Sequence, residues 1–142
     1  MLYLICTPIG NLNDFSVRSI NTLKDVDKIF VEDTRVSSKL LKFFDIKKNT
    51  FPFHEHNEKR TADKIINLIK NGQTVAILSD AGAPLISDPG YPLVQMCIKN
   101  AIPFTVIPGP SSVINALLLS GMPSDKFLFN GFLPKKNAAK KE

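Results

Sequence analysis

Three short segments of this 142-residue sequence hold most of its reactive side chains: Glu32-Asp33-Thr34-Arg35, His54-Glu55-His56-Asn57, and Ser79-Asp80 at the head of a Gly- and Pro-rich stretch that runs to Gly90. Carboxylates beside a guanidinium suit two kinds of chemistry. Glu32 or Asp33 could take a proton as a general base, and Arg35 could hold a phosphate or keep a carboxylate ionised. Equally, Asp33 and Arg35 could form a structural ion pair that holds their loop. The two histidines offer an alternative base or a surface facing a substrate. Two further segments, TPIGNLND (7 to 14) and PGPSS (108 to 112), are rich in Gly and Pro. Glycine lets a backbone approach a ligand closely and proline stiffens the loop, so segments of this kind bind through main-chain groups.

The elements that must position these segments can be read from hydrophobic patterning. Short apolar runs alternate with helical patterns along the whole chain, as in a parallel α/β sheet. Strands are expected at about Leu2 to Cys6, Lys28 to Val31, Thr50 to Phe53, Thr74 to Leu78 and Phe104 to Ile107. Of the five expected helices, the first is capped by Ser16 with Val17, Ile20 and Leu23 on one face; the second is capped by Thr34 and carries Val36, Leu40, Leu41 and Phe44. A third starts near Thr61, buries Ile65, Ile66 and Ile69, and stops at Asn71-Gly72. A fourth follows Asp88-Pro89-Gly90 and carries Leu93, Val94 and Cys97. The last opens near Pro110 and closes at Gly121. The fold class is therefore α/β: a single three-layer domain around a mainly parallel five-stranded sheet.

Parallel topology makes a sharp distinction between two kinds of loop. Every strand-to-helix loop emerges at the carboxyl edge of the sheet, where ligands bind, and every helix-to-strand loop lies opposite. The helix-to-strand turns, Lys24 to Asp27, Asp45 to Asn49, Lys70 to Gln73 and Lys99 to Pro103, are ordinary lysine, asparagine and aspartate turns. All the reactive segments fall in the other class. The composition narrows the function further. No apolar run reaches the ~20 residues of a membrane span, and the start of the chain lacks the basic leader of a signal peptide, so a cytoplasmic protein without a membrane partner is expected. Cys6 and Cys97 lack metal or disulfide spacing and read as buried thiols, and His54 and His56 have no partners to complete a zinc site, so no metal is expected. Of the net charge of +5, residues 135 to 142 supply +3, leaving +2 for the other 134 residues. That tail reads as a solvated end or a phosphate-binding arm. Neither G-x-G-x-x-G nor G-x-x-x-x-G-K-[ST] occurs, which argues against an ordinary NAD enzyme and a P-loop NTPase.

Taken in order and spacing, TPIGNLxD, EDTR, SDAGxPxISDPG, PGPSS and SGMP resemble the tetrapyrrole (corrin/porphyrin) methylase superfamily and, within it, the 16S rRNA cytidine 2′-O-methyltransferases. The likeness runs from Leu2 to about Pro134. It implies an N-terminal α/β domain over 1–134 that binds S-adenosylmethionine, with 135–142 a basic tail or the start of a linker to a second domain, in an enzyme that commonly forms a homodimer. It also implies 16S rRNA of the 30S ribosomal subunit as substrate, and a fragment inactive alone.

Carried onto this chain, the family's cofactor contacts fall on Pro8, Ile9 and Gly10, then Ser79, Asp80, Ala81, Gly82 and Ala83, then Ser111 and Ser112. Asp80 could instead be a loop cap, and the two serines first-turn helix caps. Ala83 stands where the family often has threonine, and Ser112 where it often has alanine; the first puts a side-chain contact at 83 in doubt and leaves a main-chain contact possible. Glu32, Asp33 and Arg35 become the catalytic candidates, and His54, Glu55, His56 and Asn57 the substrate-binding ones. Two other functions share these motifs: methylation of a corrin or porphyrin small molecule, and a noncatalytic binding domain.

Overall fold

The computed structural model describes residues 1–133. Within Met1–Ser111, five strands form one wholly parallel sheet: β1 (Leu2–Ile5), β2 (Lys28–Val31), β3 (Thr50–Pro52), β4 (Val75–Leu78) and β5 (Phe104–Ile107). Their spatial order is β3-β2-β4-β1-β5. Leu2 pairs with Val75 on one side and Phe104 on the other, so β1 lies between β4 and β5 in matching register. The chain therefore steps outward to β3, returns to β4, and crosses β1 to reach β5.

Alternation along the strands separates two cores. Leu2, Leu4, Phe30, Val75 and Ile77 face α3 (Glu58–Lys70) and α4 (Tyr91–Lys99), packing with Ile65, Ile66, Leu93 and Cys97. Ile5, Ile29, Val31, Ala76 and Leu78 point the other way, toward Leu23 of α1 (Val17–Asp25) and Leu40 and Leu41 of α2 (Thr34–Phe43). These are the three layers expected of a parallel sheet whose strands are apolar on both faces. Cys6 and Cys97 are buried free thiols, and burial raises both from their ordinary range. From Ser112 onward the chain forms a separate compact unit, whose one described helix is α5 (Ser112–Ser120). The expected boundary at Pro134 and the basic tail at 135–142 lie outside the described residues.

Helix starts agree with the sequence at α1, where the Ser16 hydroxyl accepts the Ser19 N–H at 3.0 Å. They differ at two places. The cap of α2 is Asp33, not Thr34, because the Asp33 carboxylate accepts the Arg35 N–H at 2.8 Å and Thr34 becomes the first helical residue. Helix α3 begins three residues earlier than expected, at Glu58, because Asn57 folds the preceding segment into a turn through its own main-chain bond to His54 O at 3.0 Å. Val17, assigned to the apolar face of α1, is 72% exposed.

Three helices end by one device. At α2, α3 and α4 the residue after the cap, Asp45, Gly72 and Ala101, takes φ of +50°, +86° and +52°. The next residue then reaches back: Ile46 N–H to Leu41 O at 2.9 Å, Gln73 N–H to Leu68 O at 3.1 Å, and Ile102 N–H to Cys97 O at 2.9 Å. This closure satisfies otherwise orphaned carbonyls, and it buries Ile46 and Ile102 against the helices they follow. Glycine makes the left-handed position without strain, whereas alanine costs about 1–2 kcal/mol there. Gly72→Ala should therefore lower unfolding free energy by about 1 kcal/mol and Ala101→Gly should raise it by some tenths, both measured by urea denaturation.

Candidate functional site

The loops leaving the carboxyl edge are fastened to one another, and the loop after β4 is the common partner. Thr7 and Gly82 form an antiparallel bridge, Thr7 N–H to Gly82 O at 2.9 Å and Gly82 N–H to Thr7 O at 3.1 Å. The buried Thr7 hydroxyl donates to Ser79 O at 3.2 Å, and the Ser79 hydroxyl donates to Gly82 O at 2.9 Å. Gly82 has φ +84°, and a Cβ there would meet Ile9 Cγ2 at 3.5 Å. The positive φ lets the chain turn back onto β1.

A second fastening joins the loop after β2. Asp80 Oδ1 accepts the Asp33 N–H at 3.0 Å, so one oxygen of Asp80 performs the capping role that was one of its two readings. The third is at the loop after β3, where Glu58 Oε1 accepts the Gly90 N–H at 2.5 Å. Asn57 shapes that loop from within, its Oδ1 accepting the His54 N–H at 2.9 Å and its Nδ2 donating to Pro52 O at 3.1 Å.

The two neighbouring carboxylates of the β2 loop have opposite environments. Asp33 accepts from the Arg35 guanidinium at 2.7 Å and 3.1 Å in a two-pronged pair, in addition to capping α2. These bonds hold its carboxyl at about 2. A depressed acid stabilises the fold above its ordinary range and loses that effect as pH falls toward about 2. Glu32 is half-buried, and its carboxyl is raised: first by burial, then by repulsion from Asp88 and Asp80, with an opposing bond from the Asp80 N–H. Asp88 is raised too, by burial and by Asp80. Glu32 and Asp88 lie together in a closely packed depression with Phe53, Ile77 and Leu78. The same two carboxylates also line an open, solvent-exposed cleft with Glu55, Glu58 and Tyr91.

The remaining candidates fall as follows. Glu55 and His56 are exposed, His54 is half-buried, and the two imidazole rings lie 5.8 Å apart edge to face. His54 Nδ1 is buried without a hydrogen-bond partner among the described residues. Pro8 and Ile9 are half-buried, Gly10 and Ala81 exposed, and Ala83 and Ser111 half-buried. Ser112 opens α5 in the separate unit. Among the described residues no three His, Cys, Asp or Glu side chains group as metal ligands, and no helix is long and apolar enough to cross a membrane. Three residues that organise the rim were not singled out from sequence: Thr7, Glu58 and Asp88. Asp88 was visible only as part of the DPG turn before α4. Its nearness to Glu32 depends on β2 and β4 being adjacent.

Gly10 is exposed, with nothing within 4 Å of the point where it would carry a Cβ, and Ala81 is exposed as well. Small exposed residues leave main-chain groups accessible, as a polar organic ligand held by backbone requires.

A parallel sheet with generic turns at one edge, and at the other a fastened rim of small residues beside half-buried carboxylates, is an α/β domain of the class that binds ligands at its carboxyl edge. The chain belongs to the tetrapyrrole (corrin/porphyrin) methylase family, whose model matches residues 1–140. It is 49% identical over 142 residues to the ribosomal RNA small subunit methyltransferase I of Vibrio cholerae, covering 100% of this chain and 49% of the relative. To the protein of the same name from Mesorhizobium japonicum it is 51% identical over 135 residues, covering 95% and 46%. The chain spans about half the length of these relatives. Among solved structures, diphthine synthase matches with a TM-score of 0.68 at 16% identity, over 86% of this chain and 49% of that one. The uroporphyrin-III-C-methyltransferase of Thermus thermophilus matches with a TM-score of 0.63 at 24% identity, over 86% and 52%. These two likenesses establish the fold.

If Asp80 fastens the β2 loop, Asp80→Ala should destabilise the domain by about 1–3 kcal/mol and Asp80→Asn, which keeps an acceptor, by less. Amide exchange at Asp33 should accelerate in the alanine variant and not in the asparagine one.

Proposed function

We propose that this chain is the S-adenosylmethionine-binding domain of a methyltransferase that modifies the 2′-hydroxyl of a cytidine in 16S rRNA of the small ribosomal subunit. The observation that carries this reading is the 49% identity, sustained over all 142 residues, to a relative named for methylation of small-subunit ribosomal RNA. In this reading the working enzyme includes a second domain, in keeping with relatives about twice the length of this chain.

In this reading Pro8, Ile9 and Gly10, the segment from Ser79 to Ala83, and Ser111 hold the cofactor. Ser79 contributes through its main chain, since its hydroxyl is spent on Gly82 O. Asp80 retains a second carboxylate oxygen for a ribose hydroxyl or an amino group. When bound, the cofactor supplies an electrophilic methyl group. The protein's share is to align the acceptor oxygen and to take its proton, because a protonated ribose hydroxyl is a poor nucleophile.

Glu32 is the preferred base. Its carboxyl is raised toward the working range by burial and by Asp88, whereas Asp33, held at about 2, has little proton affinity. Asp33 and Arg35 then act by fixing the loop on which Glu32 is carried. His54, Glu55, His56 and Asn57 line the approach for the substrate.

The test uses full-length protein, labelled cofactor, and either 30S subunits or a tetrapyrrole precursor. Methyl transfer to 30S and not to the tetrapyrrole is expected; the reverse would make it a small-molecule methylase, and no transfer to either would favour a binding domain. Glu32→Gln should lower turnover about 10²–10⁴-fold with cofactor affinity retained. Asp33→Asn should lower it far less, and the opposite ranking would assign the base to Asp33. Because a base works deprotonated and Glu32 is raised, wild-type turnover should fall with decreasing pH through a value above the ordinary 4.5 of a glutamate.

A further inference from the structure

We propose that the outer face of α2, with Lys39 and Lys42 as phosphate contacts and the flanking Phe43 as a stacking surface, is a track for the RNA backbone leading to the carboxyl-edge rim. The proposal rests on the reading of the substrate as RNA.

Helix α2 differs from its neighbours in charge. Arg35, Lys39 and Lys42 lie at i, i+4 and i+7, all exposed, and the helix contains no acidic residue. By contrast α1 carries Asp25 with its two cations, and α3 sets Glu58 and Asp63 among its four. The helix dipole does not account for the stripe. It favours a cation in the last turn, as at Lys42, and disfavours one in the first, where Arg35 stands. Arg35 is answered by Asp33 at 2.7 Å. Lys39 and Lys42 have no ion-pair partner among the described residues, and their charge is available to an outside anion.

Beside the stripe, on one flank, Val36 and Phe43 are 41% and 57% exposed. Cations interleaved with an exposed aromatic suit a nucleic acid, whose phosphates take the charge and whose bases stack on the ring. From Arg35 to Lys42 the helix rises about 10 Å. At its far end the stripe meets an open groove whose lining includes Ser38, Lys42, Lys47 and Lys48; there Lys47 is paired with Asp45 at 3.4 Å and Lys48 donates to Val26 O, so Lys42 is its unpaired cation among the described residues. At its near end it reaches Asp33 and so the loop bearing Glu32. The rim itself, with Glu32, Asp80 and Asp88, repels phosphate. An RNA strand can therefore offer a sugar to the rim only if its phosphates are held elsewhere; α2 adjoins the rim with two lysines unpaired among the described residues and no acidic residue, whereas the exposed Lys59 and Arg60 of α3 stand beside Glu55 and Glu58.

The test measures binding and methylation of 30S subunits by full-length protein carrying Lys39→Ala/Lys42→Ala or Lys39→Glu/Lys42→Glu, with cofactor titration and thermal melting as controls. The charge reversal should weaken 30S binding at least tenfold, with cofactor affinity, melting temperature and turnover at saturating 30S unchanged. For the alanine pair, the slope of log affinity against log salt should fall by about 1.4–1.8, the value for two phosphate contacts at about 0.7–0.9 each. Lys64→Glu/Lys70→Glu, on α3 in the opposite layer, should leave binding within twofold. Unchanged affinity and slope in the α2 variants, or an equal loss in the α3 variant, would overturn the track. Wild-type protein that neither binds nor methylates 30S subunits would overturn the RNA reading and the track together.

Discussion

The paired main-chain bonds between Thr7 and Gly82 are the constraint on which the rest of the rim depends. They extend the contact between β1 and β4 beyond the sheet and fix where the loop after β4 begins. From that fixed start the loop runs to Gly90, where Glu58 holds its other end. Between the two fastenings Leu85 and Ser87 take φ of +73° and +63°, a conformation costing about 1–3 kcal/mol for a residue with a side chain. A segment tied at both ends can retain such conformations, and the outcome is to present Asp88 toward Glu32. Strain of this kind differs from that at Asp45 and Ala101, which belong to helix ends at the opposite edge.

The consequence for chemistry is a division of labour among carboxylates of similar intrinsic acidity. Asp33 and Glu32 are adjacent in sequence, yet one is a helix cap paired with a guanidinium and the other is half-buried near two further carboxylates. Alternation of side chains at the end of β2 sends them to different surroundings. The same feature that makes Asp33 a good fastening makes it a poor proton acceptor, and the crowding that raises Glu32 makes it a better one. Asp80 links the two, since it accepts a bond from the Asp33 main chain and adds to the field that raises Glu32.

How much of this was legible in the sequence depended on the range of the interactions. Strand positions and the parallel sheet follow from local apolar runs, and β2 and β5 were located to the residue. The contrast between the two classes of loop located the rim because parallel topology assigns each class to an edge. What could not be read locally were contacts across strands. Thr7 with Gly82, Asp33 with Asp80 and Glu58 with Gly90 are separated by 75, 47 and 32 residues, and each requires knowing that β4 lies between β2 and β1. Helix ends show the same limit on a smaller scale. Gly72 announced its left-handed position, whereas Asp45 and Ala101 adopt it against their intrinsic preference because Ile46 and Ile102 gain burial by the closure.

Ala83 sharpens the distinction between loop shape and side-chain chemistry. Its position follows the Thr7–Gly82 bridge, and its carbonyl accepts the Ile86 N–H at 3.4 Å, so its backbone is placed by neighbours whatever side chain it bears. A hydroxyl at this position would therefore add one polar group without being needed to place the chain. The nearby rim follows the same economy: Ser79 and Thr7 turn their hydroxyls inward to main-chain carbonyls, while Gly10 and Ala81 leave space outside. Side chains build this rim from within, and what its small exposed positions turn outward is mostly backbone. A rim built in this way tolerates substitution at its small exposed positions and is sensitive at its buried ones, which places the constraint on residues that face inward.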